Sequence, residues 1–294
     1  MCSSSSQAVN CGRFNMSAEL KPTVTVSPSA RPQAALPTLG MVRGIYAFWR
    51  RNALVWRSNW IAACFAFVLD PAVFLFAFGY GLGAAFTTMS GMPYFAFVVP
   101  GMMGLGLLYT SFIECSYAAF FRMEAQRTYH AILATPMALG HIVAGEILWA
   151  GTKATLSSSF ILLVGACFGG VLTGWHSLLA IPVATLTAMA VGAMALLLTS
   201  VSRRIDDFNY AWPLLVTPML MFSGTFIELA RFPVWVQMVG KCLPLYHGVE
   251  VMRMLTSGHN LVLETVWAHI AYLVAIIIVF GALALARLNG RIFK

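Results

Sequence analysis

Charge is what this sequence has least of. Only 10% of its 294 residues are Asp, Glu, Lys or Arg, against about 25% in a soluble domain. The G-x-x-x-x-G-K-[ST] phosphate loop is missing. GTKA at Gly151 and GKCL at Gly240 lack its Lys-Ser/Thr pair and its leading glycine, so the chain does not bind ATP by that route. The six cysteines (Cys2, Cys11, Cys64, Cys115, Cys167 and Cys242) form no CxxC pair. Three of them sit inside apolar runs, where Cys behaves as a small hydrophobe, and no metal or disulfide framework is implied. His130, His141, His176, His247, His259 and His269 are scattered, without HxxxH or HExxH spacing, and no Gly-x-Ser-x-Gly elbow occurs.

What is present is apolar. Hydrophobic residues make up 60% of the chain, and the mean hydropathy is +0.80. These values place it in a membrane and predict an all-α membrane protein. The formal charge of +8 does not point to nucleic acid, because the basic residues flank apolar runs and form no patch on a soluble face. Residues 1–40 are rich in Ser, Pro and Ala without apolar periodicity and read as a disordered tail lacking the apolar core of a signal peptide. Residues 41–58 read as a helix lying in the membrane interface. Arg43, Arg50 and Arg57 recur every seven residues and fall on one face, while Trp49 and Trp56 cover much of the rest. Residues 59–294 form the spanning domain, with six expected spans near 60–81, 94–120, 141–169, 177–200, 210–229 and 266–287. The third exceeds what a bilayer requires and must tilt or project. The fifth is broken by Pro213, Pro218 and Gly224.

Basic residues orient the spans. Arg43, Arg50, Arg51 and Arg57, then Arg122 and Arg127, then Arg203 and Arg204, then Arg287, Arg291 and Lys294 fall on one side, while the short loops 82–93 and 170–176 hold none. The long segment 230–265 holds Arg231, Lys241 and Arg253, but long loops count for less. Both termini are therefore expected in the cytoplasm. Two short charged segments emerge there, Arg122 to Pro136 and Arg203 to Asp207, and mixed charge on short anchored loops suits docking of another protein. Solvated turns that merely set topology are an equal reading of the charge pattern.

Four ionisable groups lie within apolar spans: Asp70, Glu114, Glu146 and Lys153. At about 1.5 Å per residue, Asp70, Glu114 and Lys153 reach similar depth, with Glu146 shallower and Glu114 about 12 Å above Arg122. A buried cluster follows, in which Lys153 pairs with Asp70 or Glu114. A structural salt bridge is favoured over substrate or proton handling. Asp70-Pro71 predicts a kink in the first span. The aromatics Phe74, Phe78, Tyr109 and Phe112 read as packing or lipid-facing residues before pathway residues.

The order of these features resembles the membrane subunits of type-2 ABC exporters. The finer text is similar to their nodulation-factor exporter permease branch: FWRRNALVWR, LDPAVFLFAFGYGLG, RMEAQRTYHAILATPMALGHIVAGEILWAGTKA, TPMLMFSGTF and LPLYHGVEVMR. The likeness covers about residues 43–290. It implies that Arg122, Glu124, Gln126, Arg127, Thr128, Tyr129, Thr135 and Pro136 belong to a coupling helix docked on a separate ATPase subunit. Arg203, Arg204, Asp206 and Asp207 would form a second cytoplasmic contact. The segment after the fifth span would form re-entrant helices at an external gate containing Ser223, Gly224, Pro244 and His247. It further implies a second copy of the chain and no cofactor on this chain, ATP and Mg being held by the partner. The substrate would be a lipid-linked or amphipathic saccharide taken from the inner membrane. In SGTFIELARFP the Phe232-Pro233 pair is displaced from the branch's usual place, and Tyr246 follows the Leu-Pro-Leu where a small residue is usual. A drug or antibiotic exporter of the same architecture is the alternative substrate class. A membrane-embedded transferase using Glu146, His141 and His130, or a passive channel, is the alternative from outside it.

Overall fold

The computed structural model describes residues 40–58, 69, 73–81, 83, 88–89, 91–168, 174–257 and 263–293. The expected tail, most of the first span, Asp70 and its kink lie outside the described residues.

Among the described residues, four helices have the length and apolarity to cross a membrane. They are α2 (Tyr94–Ala125), α4 (Leu139–Cys167), α5 (Trp175–Val201) and α9 (Leu263–Ile292). They correspond to the expected second, third, fourth and sixth spans. At about 1.5 Å per residue, the 29 residues of α4 extend about 44 Å, longer than the hydrocarbon core of about 30 Å. Before them come α1 (Met41–Arg57) and a two-residue antiparallel hairpin, β1 (Thr88–Met89) with β2 (Met92–Pro93). That hairpin is an addition to the expected all-α pattern.

α2 and α5 are the central columns. Nearly every residue of α2 from Phe97 to Phe112 is buried. α5 packs against α2, α4, α9 and the helix α8 (Pro244–Ser257). α5 does so with small side chains: Ala184, Ala188, Ala193 and Ala195 are fully buried. Small residues let helix backbones approach closely where apolar lipid supplies no hydrophobic drive for association. α9 stands at the rim, and Ile278, Val279 and Leu283 face outward.

The expected fifth span begins and ends earlier than its apolar run. Helical backbone runs over residues 207–222 (α6), including a wide π turn at Trp212–Val216, and stops before Gly224, whose φ is +70°. A left-handed backbone here is cheap only for glycine. The chain then makes a short 3₁₀ turn at Leu229–Arg231, α7 (Val234–Lys241) and α8.

α1 runs alongside α4. Gly44, Phe48 and Asn52 recur every four residues as its buried face. Phe48 packs on Gly145, where an added Cβ would lie 2.5 Å from the ring, and Trp49 Nε1 donates to Thr152 Oγ1 at 3.0 Å. Arg43, Arg50 and Arg57 are exposed on the far side, together with Tyr46, Leu54 and Val55. Trp56 packs edge-on against Trp149.

Candidate functional site

The end of α2 is charged, yet the helix does not stop where the apolar run ends. It continues through two π turns, Glu114–Ala118 and Phe121–Ala125, before Arg127 adopts a left-handed conformation (φ 50°) that starts the short helix α3 (Thr128–Leu133). Thr135 caps the end of α3 with a hydroxyl bond to the Ile132 carbonyl at 2.6 Å. The turn then leads to α4, whose first turn is closed by the Ala138 N–H donating to His141 Nδ1 at 3.1 Å. This puts histidine in the reaching-back role usually taken by Glu or Gln.

Beneath this loop lies a buried ion-pair quartet. The Arg122 guanidinium grips Glu146 with a two-pronged contact, Nε to Oε1 at 2.8 Å and Nη2 to Oε2 at 2.6 Å. Its Nη1 donates to Glu114 Oε1 at 2.9 Å, and Nη2 also reaches the Glu114 carbonyl at 3.3 Å. Lys153 Nζ donates to the other Glu114 oxygen at 2.5 Å. Two cations and two carboxylates make the group neutral, and the Glu146 side chain is 0% exposed. Taking such charges from water is costly, and only dense mutual hydrogen bonding makes the arrangement tolerable. Tyr129, fully buried, completes it from the loop: its hydroxyl donates to Glu146 Oε1 at 2.7 Å. Burial, and then the Glu146 charge, raise the Tyr129 hydroxyl well above its ordinary pKa, so it remains a proton donor at neutral pH.

The cluster therefore includes Glu114, Glu146 and Lys153, and Lys153 takes Glu114 as partner. Asp70 lies outside the described residues. Two residues expected on the docking face turn inward instead. Arg122 has a side chain only 14% exposed, and Tyr129 is buried, because both satisfy the carboxylates of α2 and α4. Glu124, Gln126, Arg127 and Thr135 remain exposed, with Thr128 and Pro136 partly so. Glu124 binds Arg291 of α9 at 2.9 Å, while Arg291 Nη1 also covers the carbonyls of Thr199, Ser200 and Ser202 at the end of α5. In the second loop Arg203, Arg204 and Asp206 are exposed. Asp207 Oδ2 accepts the N–H groups of Arg203 (2.8 Å) and Arg204 (3.0 Å), and those backbone bonds hold its carboxyl below the usual range.

At the opposite end, Ser223 is buried and its hydroxyl bonds the Met219 carbonyl; Pro244 is buried at the start of α8. The Gly224 carbonyl accepts Arg253 Nη2 at 2.8 Å. Arg253, absent from the expected gate residues, also lies 3.9 Å over the Phe97 ring and binds Glu250 at 3.2 Å. It joins α8, α2 and the Gly224 turn, and borders a cavity of about 290 Å³ with Glu228, Tyr246 and Glu250. The i,i+3 spacing of Glu250 and Arg253 was its only sequence signal. His247 Nε2 lies 2.8 Å from the Lys241 carbonyl, so that nitrogen carries the proton. His247 Nδ1 then accepts from His269 Nδ1 at 2.6 Å, tying α8 to α9. The transferase candidates do not converge. Glu146 is held in the quartet, His141 closes the first turn of α4, and His130 is exposed on α3. Phe112 and Tyr109 pack on Trp212 of α6.

A bundle of apolar crossing helices, with its charges neutralised inside and a short helix bolted beneath, defines an integral membrane protein of the permease type. The match to the ABC-2 type transporter family spans residues 43–256, and the chain belongs to that family. It is similar to Nodulation protein J of Rhizobium meliloti (strain 1021), 38% identical over 260 residues, covering 88% of this chain and 97% of that protein. Nodulation protein J of Rhizobium leguminosarum bv. trifolii is 35% identical over 249 residues, 84% of this chain and 94% of that protein. The Inner membrane transport permease YadH of Escherichia coli (strain K12) is 21% identical over 222 residues, 73% of this chain and 83% of that protein.

Proposed function

We propose that the chain is the membrane subunit of an ATP-driven exporter that moves a lipid-linked or amphipathic saccharide outward, with ATP and Mg bound on a separate ATPase subunit and with a second copy of this chain completing the pathway. The observation that carries the reading is the Tyr129–Glu146 bond beneath the exposed helix α3. A push on the outer face of α3 is passed by one rigid aromatic side chain to a carboxylate of α4, and through Arg122 to α2. Docking then falls to Glu124, Gln126, Arg127, Thr128, Thr135 and Pro136, with Arg203, Arg204 and Asp206 as a second contact.

The resemblance of residues 43–290 to nodulation-factor exporter permeases, in line with the nodulation names of the relatives, supports a saccharide-bearing amphiphile as substrate. The six-span topology with both termini inside is supported by the convergence of Glu124, Arg203, Arg287 and Arg291 at one end of the bundle. The exposed arginines and apolar side chains of α1 suit an interfacial connecting helix over residues 41–58, ahead of a permease domain over 59–294. The Gly224 turn, α7 and α8 take the external gate.

The test is affinity purification of the full chain from native membranes in mild detergent. An ATPase subunit is expected in roughly equal amount. It should be lost in Glu124→Lys/Arg127→Glu, and export should fall with the bundle intact. A chain that purifies without an ATPase, or a variant that still exports, would overturn the assignment.

A further inference from the structure

The cavity between the ends of α5 and α9 has no part in the quartet or the external turn. It measures about 410 Å³ and is lined by Ser200, Val201, Arg203, Arg287, Gly290 and Arg291. Carbonyl oxygens at the end of a helix carry partial negative charge, which would repel an anion. Arg291 removes that obstacle by covering the carbonyls of Thr199, Ser200 and Ser202. Arg203 and Arg287 are both exposed and take part in no ion pair among the described residues. Two positive charges thus face a water-accessible hollow whose own oxygens have been neutralised.

The surroundings select the anion. Val201 at the edge of the cavity is 61% exposed, and Leu283, one turn before Arg287, is 47% exposed. The apolar face continues down α9 through Val279. A ligand here meets arginines at its head and hydrocarbon along its length. We propose that the cavity binds the phosphate headgroup of an anionic phospholipid, with Arg203 and Arg287 as its ligands and the α9 face accommodating an acyl chain. Basic pockets between spanning helices at this membrane level suit such headgroups. Because Arg291 connects the rim of the cavity to Glu124, an occupied site also steadies the start of the α3 loop.

The experiment is native mass spectrometry of the detergent-purified full chain titrated with phosphatidylglycerol or phosphatidylcholine. Wild type should retain phosphatidylglycerol preferentially. Arg203→Ala/Arg287→Ala should weaken that binding about 25-fold, at about fivefold per arginine, without altering phosphatidylcholine adducts. Arg287→Gln alone, a milder change, should lose about fivefold. Arg231→Ala/Lys241→Ala removes as much charge from exposed positions away from the cavity and should retain the preference. Equal binding of the two lipids by wild type, or an equal loss in the Arg231/Lys241 control, would overturn the site. Displacement of the lipid by inorganic phosphate alone would make it a free-phosphate site and overturn the lipid assignment. A lipid-free dimer with this face covered by the second copy would do the same.

Discussion

Replacing Tyr129 by Phe isolates the link between the loop and the bundle. The ring keeps its packing, so no cavity opens, and Glu146 retains both prongs of Arg122, so no buried charge is orphaned. What is lost is one hydrogen bond to a carboxylate, 2.7 Å long and fully buried. Bonds to charged groups contribute about 1.5–3 kcal/mol, or about 10- to 150-fold in the opening equilibrium of whatever they hold closed. The structure assigns that opening to α3 alone, because Tyr129 is its fully buried anchor among the described residues. Hydrogen exchange of the 126–136 peptide should therefore accelerate by that factor, while α2, α4 and α5 exchange as in wild type. The same bond gives a pH signature. The folded-state pKa of Tyr129 is raised, so its contribution is complete below the unfolded value of about 10 and is lost as pH rises through the higher folded value. Wild type should loosen α3 in that alkaline window, and Tyr129→Phe should lack the transition. Unchanged exchange in α3, or acceleration spread through the whole bundle, would refute the anchoring argument.

Lys153→Met leaves the quartet with a net negative charge in a buried site, and thermal unfolding in detergent should report a loss of about 3–5 kcal/mol. Adding Glu114→Gln restores neutrality and should recover much of it. Arg253→Lys keeps the charge but loses the planar stacking on Phe97 and the reach to the Gly224 carbonyl. Proteolysis of the 224–257 segment should become faster, with the spans still folded. Gly224→Ala forces a side chain into a left-handed backbone at a cost of about 1–2 kcal/mol, and Gly224→Asn should cost less. Paired thermal melts distinguish the two.

The four long helices were legible because apolar runs of that length have few other homes, and depth placed Lys153 level with both Glu114 and Asp70 without choosing between them. Their ends were less legible. The apolar text of the second run stops near residue 120, yet α2 continues to Ala125, because Arg122 finds carboxylates inside the bundle and the ladder need not break. The fifth run misled in the other direction. Pro213 is absorbed in the π turn and Pro218 begins a fresh turn, so neither ends α6; the backbone at Gly224 follows its end. Tyr129 sits in a charged loop that reads as solvent-facing, and its burial depends on a carboxylate 17 residues away on another helix. No local pattern announces that partner.

The inward turn of Arg122 has a specific geometric cause. In a regular α-helix, at about 100° per residue, eight residues carry Arg122 about 80° past Glu114, on a different face. A π turn holds one extra residue, which takes back about 100° and leaves the two within about 20°. The π turn at Glu114–Ala118 lies between them, and the arginine side chain leans toward the helix N-terminus, up to Glu114. Changes of chain length should then act asymmetrically. Deleting Ala118 converts the wide turn to a regular one with the partners seven positions apart, about 20° from alignment, and the quartet survives. Inserting an alanine after Ala118 rotates Arg122 by about 100°, which leaves Glu146 without its cation and Glu114 held by Lys153 alone. Sensitivity to Lys153→Met provides the readout, since that variant removes the last cation beside Glu114 in the insertion background and should cost more there than in the deletion background. If insertion and deletion reduce thermal stability equally, the π turn does not set the register, and the placement of Arg122 must rest on the flexibility of its side chain.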